Sequence, residues 1–406
     1  MFIARSRGRG DTAADSGYDD TMAYRLQRDE SLPVGVRRIA RELVDEALDL
    51  LDDPGEEIEE SVHQVRKNCK MLRGLIRLVR PGMGDVYTEA NVTFRDAARE
   101  LASIRDAHAL LATFDDLVAA VGDRRPDSTD ALRHVRAELA ARADAASAAV
   151  RTTTGTTGSG AVDSDGTAVD DRILRARDLL AAGRHGIDEW PLTDDVDVIR
   201  DGIAKTYRRG RDRLRDSMFT PTDELLHQWR KRVKYTWYHV RLLRDAAPSV
   251  LRPLTGRLHD LSDALGDDHD LAVLLEQMRA DVDAFGGDEV LRETTAVVDV
   301  VREDLQQRAW RLGSRLYVEP PATFSERLAG YWRAWLEHGD ELPTGEISDL
   351  APPDDDLDEQ SARQLYAIAR DLDIAMRSTM DRDELIAAIR TSGWTGDRSV
   401  QASAGP

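Results

Sequence analysis

Two segments of this chain carry the residue types for anion chemistry, and they are copies of one pattern. Val62–Arg80 reads VHQVRKNCKMLRGLIRLVR, and Leu226–Arg244 reads LHQWRKRVKYTWYHVRLLR. Aligned without a gap they share His63/His227, Gln64/Gln228, Arg66/Arg230, Lys67/Lys231, Lys70/Lys234, Arg77/Arg241 and Arg80/Arg244. Neither segment contains an acid, although the chain holds 76 acidic residues against 56 Lys and Arg. Lysine is rare: of the five in the chain, four are Lys67, Lys70, Lys231 and Lys234. Each segment carries six Lys or Arg, and removing those twelve charges from a net of −20 leaves −32 on the rest. Two acid-free cationic segments in an acidic chain suit a ligand rich in phosphate oxygens. Lysine offers mobile point charges there, and arginine offers forked donors.

The elements that must position these residues are helices. Val62, Val65, Cys69, Leu72, Ile76 and Val79 recur at helical spacing and face a core. His63, Arg66, Lys67, Lys70, Arg73 and Arg77 form a second stripe, rotated by about 110° from the first. In the other copy Leu226, Trp229, Val233, Trp237 and Val240 are the apolar stripe. His227, Arg230, Lys231, Lys234 and Arg241 are the basic one. Neighbours on such a stripe repel by a few tenths of a kcal/mol per pair, roughly, so something outside the helix must compensate. That can be a ligand, solvent, or acids elsewhere in the chain. A histidine opens each stripe and can donate to an anion, and a neighbouring polyanion would favour its protonation.

The repeat extends beyond these segments. Gly35-Val36-x-Arg38-x-x-Arg41 matches Gly202-Ile203-x-Lys205-x-x-Arg208 upstream. Arg105-Asp106-Ala107-His108 follows the first copy where Asp267-Asp268-His269-Asp270 follows the second. Arg38, Arg41, Lys205 and Arg208 are therefore expected to add a second basic helix on each side of a groove. His108, His259 and His269 show no paired ligand spacing, so no metal is expected. Gly266-Asp267-Asp268 is expected to cap a helix.

The wider chain reads as all-α, with no convincing period-2 strand. Residues 1–22 are expected to be disordered. Residues 24–337 form the helical domain, in halves 32–150 and 172–337, each a bundle of about four helices related by a two-fold pseudo-symmetry. Residues 151–171 read as a flexible loop, and 338–357 as an acidic linker. Residues 358–391 form a small helical unit, with Asp381 and Glu384 in a capping box, and 392–406 a disordered tail. Ser61 is expected to cap the first repeat helix. No segment has the apolar length of a membrane span, no secretory signal is recognisable, and a single cysteine fits a reducing compartment. The expected location is the cytoplasm, without membrane association.

These residues are similar to the CHAD family, the conserved-histidine α-helical domains. Its pattern His-x-x-Arg-x-x-x-Lys/Arg-x-x-Arg reads here His63-x-x-Arg66-x-x-x-Lys70-x-x-Arg73 and His227-x-x-Arg230-x-x-x-Lys234, with Trp237 where an arginine is usual. Tyr24-Arg25-Leu26 with Glu30, Tyr207-Arg208-Arg209-Gly210-Arg211, Leu265-Gly266-Asp267 and Leu312-Gly313-Ser314-Arg315-Leu316-Tyr317 also fit. The resemblance implies binding of inorganic polyphosphate in a basic groove, without catalysis or cofactor, and polyphosphate granules as a further partner. The Glu-x-Glu-x-Lys hallmark of the triphosphate-tunnel domains that often accompany CHAD does not occur. Leu365–Arg390 resembles the helix-extension-helix unit at the N-terminus of transcription terminator Rho, related to SAP modules, which implies a protein or nucleic-acid contact. Two other functions stay open: a nucleic-acid binder using the same groove and the C-terminal unit, and an enzyme acting on phosphoanhydrides.

Overall fold

The structure is a computed structural model. It describes residues 24–54, 58–121, 129–155, 169–339 and 380–392, with Leu357, Leu365, Ile368, Ala369, Leu372 and Ile374. The expected disordered termini and most of the 151–171 loop and the 338–357 linker lie outside the described residues. Residue contacts divide the chain into two compact units, 1–339 and 340–406.

Among the described residues the first unit is helical throughout, without strands. Its helices are α1 (Leu32–Asp52), α2 (Ile58–Leu78), the short α3 (Arg80–Met83), α4 (Val86–Glu100), α5 (Ser103–Val121), α6 (Thr129–Gly155), α7 (Val169–Gly186), α8 (Val196–Phe219), α9 (Asp223–Leu242), α10 (Pro248–Ala280), α11 (Gly287–Leu316) and α12 (Pro321–His338). The two basic repeats are α2 and α9.

Local sequence sets most boundaries. Thr222 caps α9 by accepting from the Leu225 amide at 3.2 Å, and Asp195 caps α8 by accepting from that of Asp197 at 2.8 Å. Two expected boundaries fail. Ser61 is not a cap: α2 begins a turn earlier, at Ile58, and the Ser61 hydroxyl donates to the Pro54 carbonyl at 2.7 Å. Gly266-Asp267-Asp268 caps nothing, because α10 runs unbroken through it. Asp268 is only 1% exposed there, and its carboxylate accepts from Arg302 Nε at 3.0 Å and from Gln306 Nε2 at 2.8 Å. Gly266 lets α9 approach, since a Cβ on it would lie 3.2 Å from the Arg230 guanidinium.

One core cluster buries the apolar faces of α1, α2, α4, α7, α8, α9 and α12. A second joins Phe114, Leu117, Leu132, Val135 and Leu139 of α5 and α6 to Leu271, Leu274, Leu275 and Met278 of α10 and Val297 and Val298 of α11. Helix α7 packs on α1 and α4. The halves 32–150 and 172–337 are therefore not two self-contained bundles. Helices α5 and α6 lend their apolar faces to the later half, and α7 lends its own to the earlier one.

The centre of the unit is the crossing of α2 and α9. A Cβ on Gly74 would lie 2.9 Å from Tyr238 Cβ, and the buried His239 hydrogen-bonds the Gly74 carbonyl through Nε2 at 3.1 Å. One turn further along α2, Arg77 meets Tyr235, one turn back along α9, so the helices run antiparallel. Helix α8 closes on the end of α2 at Gly202, where a Cβ would overlap the Leu78 carbonyl oxygen.

In the second unit, Leu357, Leu365, Ala369, Leu385, Ile386 and Ile389 form a small core. Its described helix, α13 (Arg382–Thr391), starts with the expected capping box: the Asp381 carboxylate accepts from the Glu384 amide, and Glu384 accepts in return from the Asp381 amide, both at 2.9 Å.

Candidate functional site

The α2–α9 crossing gathers cations from four helices. Arg73 and Arg77 come from α2, Lys231 and Arg232 from α9, Lys205 and Arg209 from α8, and Arg95 from α4. Arg80, at the start of α3, adds another. Arg77 lies over the ring of Tyr235, with its guanidinium carbon 4.1 Å from the centroid. Arg80 lies likewise over Tyr87, at 4.3 Å. Arg73 donates from Nε to the Asn91 side-chain oxygen at 3.3 Å. Among the described residues no ion pair holds Arg73, Arg77, Arg232, Arg209 or Lys205, and their contacts are to rings, an amide, backbone or other cations.

These cations disfavour one another's charged forms. Burial lowers the pKa of Arg73, and the charges of Arg77 and Arg95 lower it further against the opposing effect of Tyr235. Burial and then Arg209 lower that of Arg232, with Arg77 and Arg213 adding to the effect. Lys205 is lowered by burial, Arg80 and Arg209. In Lys231 burial is again first, with Glu224 opposing and Arg232 and Arg73 adding to the decrease. Each group senses the next, so the charges form one tract across α8, α2 and α9. In a medium of reduced dielectric such crowding is costly until an anion joins it.

Of the remaining repeat residues, Lys67, Arg230 and Lys234 feel acids. Lys67 is lowered by burial and by Arg241, with Glu46 and Glu60 opposing. Arg241 is 4% exposed and lies near the rings of Tyr24 and Trp237, at 5.6 and 5.7 Å. Arg230 approaches Asp270 at 3.7 Å. Lys234 is pushed down to about 8 by burial and by Arg230, against Asp263 and Asp270. His63, Arg66 and Lys70 are half-buried on α2, and Arg66 and Lys70 lie near enough to Cys69 to act on it with Arg73. Burial is the larger effect on that thiol and raises its pKa to about 12, as expected of a core cysteine.

Three expected groove residues are placed elsewhere. Arg38 forms a bidentate pair with Glu30, at 2.6 and 2.9 Å, and a further one with Glu42. Arg41 pairs with Asp188, in the short turn after α7. Arg208 faces a cleft between α8 and α12, lined also by Arg200, Glu326 and Arg327. Arg41 and Arg208 meet neighbouring elements, whereas Arg38 is held by Glu30, just before α1, and by Glu42, one turn along it. Conversely, Arg232, Arg209, Arg80 and Arg95 belong to the tract, although none of them was expected in the groove. Arg232 and Arg80 stood inside the acid-free segments, which was the available signal. Arg209 stood in the family-like Tyr207–Arg211 stretch, and Arg95 carried no signal.

A protein-family comparison matches the CHAD domain over residues 36–279. The chain belongs to the CHAD family. That match covers α2, α9 and their crossing, and ends at the last residues of α10. A comparison with curated proteins returns no match. Among the described residues of this CHAD protein no helix is long and apolar enough to cross a membrane.

Proposed function

We propose that this CHAD protein binds inorganic polyphosphate, without turning it over, along the cationic tract at the α2–α9 crossing. The observation that carries the reading is the run of cations from Lys205 through Arg209, Arg232, Arg77 and Arg73 to Lys231, whose charges act on one another. A linear polyanion with a charge on every repeat unit can meet a row of such cations, where a compact anion meets only part of it. Membership of a family associated with polyphosphate binding supports it. The antiparallel pairing of two matched helices also supports a pseudo-dyad through the crossing, with walls of unequal strength.

The reading places the protein in the cytoplasm, with polyphosphate granules as a partner. The small C-terminal unit then serves as an adaptor to protein or nucleic acid, in the manner its Rho-like sequence suggests. Competition tests the proposal. Long-chain polyphosphate should displace single-stranded RNA at equal phosphate concentration, and charge reversal at Arg73 with Lys231, both in the tract, should abolish retention on polyphosphate with the circular dichroism spectrum unchanged. Displacement of polyphosphate by RNA favours nucleic acid as the ligand. Phosphate release in the presence of Mg²⁺ favours an enzyme.

A further inference from the structure

The ring of His269, on α10, stacks on that of His227, the histidine that opens the second basic stripe. Their centroids are 4.1 Å apart and the planes differ by 28°. Both side chains are half-buried. The Nδ1 atom of His227 and the Nε atom of Arg230 are buried without a hydrogen-bond partner among the described residues. The surrounding fold therefore does not fix the tautomer of His227, and either nitrogen can carry the proton.

Charges face this pair from three helices. Helix α9 supplies Arg230 and Lys231 with Glu224 and Asp223, α10 supplies the histidine partner itself and Asp270 beside Arg230, and α11 supplies Arg302. Burial leads in holding both imidazoles down to about 4, helped at His227 by His269, Lys231 and Arg230, and at His269 by Arg230 and Lys231. Arg302 is held by Asp223 and Asp268, which limits its own effect. Two neutral rings can stack in contact, whereas two imidazolium ions cannot without counter-charge. An anion laid against Arg230 and Lys231 supplies that counter-charge and reverses the balance.

We propose that His269 is a second anion-binding imidazole at this end of the tract, and that the His227–His269 pair takes up protons when a phosphate polyanion binds. This rests on the polyphosphate reading above. It implies binding that strengthens as the pH falls through the range where the free rings are neutral and the bound rings charged.

Calorimetric titration of the full chain with long-chain polyphosphate tests it, at about pH 6, between the depressed values and the ordinary imidazole value. Run in two buffers of different ionisation enthalpy, it reads the protons exchanged. Long chains keep the titrating terminal phosphates few. The expected result is net uptake by the wild type. His269→Asn should lower that uptake by about one proton per complex and weaken binding several-fold, with the melting temperature retained. His269→Arg, permanently charged, should restore the affinity while the uptake stays low. Equal uptake by wild type and His269→Asn overturns the inference and leaves the polyphosphate reading standing. Absence of any binding by the wild type overturns both.

Discussion

Arg77 of α2 rests on the ring of Tyr235 of α9, 4.1 Å from its centroid, and so ties the cationic stripe of one repeat to the aromatic floor of the other. Tyr235 is 9% exposed. It gives Arg77 a favourable face without cancelling its charge, so the guanidinium stays directed and available. A carboxylate in the same place would hold Arg77 more firmly and silence it, as Glu30 does to Arg38.

Replacing Tyr235 by Leu should therefore cost more in binding than in folding. A cation–π contact is worth about 0.5–1 kcal/mol at an exposed site and more where the ring is buried, as Tyr235 is. Polyphosphate affinity should fall two- to five-fold, roughly, with the thermal midpoint little changed. Titration by fluorescence anisotropy, beside thermal unfolding, separates the two effects.

The close approach of α8 to α2 makes Gly202 a structural requirement. A Cβ there overlaps the Leu78 carbonyl, which is backbone and cannot rotate away. Gly202→Ala should destabilise the first unit by about 1–3 kcal/mol, read as a lower urea midpoint. Gly84→Ala should leave the side-chain packing alone, since nothing lies within 4 Å of a Cβ there, and act only through its positive φ of 53°.

The buried pair of Asp268 and Arg302 locks α10 to α11 where the sequence suggested a break. Asp268→Asn keeps the shape and removes the charge. Breaking a buried pair from one side costs about 3–5 kcal/mol, so this substitution should lower the midpoint more than any single tract substitution does. Restoring neutrality with Arg302→Gln in the Asp268→Asn background should recover part of the loss, and a double-mutant cycle in urea measures it.

His239 gives the first unit a pH dependence of known sign. It is 1% exposed, and burial holds its pKa at about 3. In the unfolded chain it titrates near 6.5, roughly. Above that value both states are neutral and the group has no effect on stability. As the pH falls from there towards 3, the unfolded state takes up a proton that the folded state refuses, and stability drops by up to about 1.4 kcal/mol per pH unit. His239→Gln can still donate to the Gly74 carbonyl and should flatten this part of the curve of urea midpoint against pH.

Much of the fold was legible in the sequence, because the apolar stripes of α1, α2 and α9 are regular and their ends are marked by proline, glycine or a capping side chain. The site was legible in part. Periodicity placed Arg73, Arg77 and Lys231 on a face away from their own helix's core. It could not tell which neighbour that face meets. Arg38 and Arg41 therefore looked equivalent to the tract residues until Glu30 and Asp188 were found against them. Asp263 and Asp270, which act on Lys234, lie a helix away in sequence and carry no local sign of it. Arg209 and Arg95 join the tract through helix packing alone.

The salt dependence of polyphosphate binding tests the central claim most directly. It should be measured on the full chain, beside a variant in which Arg73 and Arg232 are both changed to Gln. Neutralising several phosphates releases several counterions, so the wild-type affinity should fall on the order of a thousandfold between about 50 and 200 mM salt. The variant should bind more weakly and show a shallower slope. A wild-type affinity insensitive to salt, or a variant with the same affinity and slope as the wild type, would contradict it.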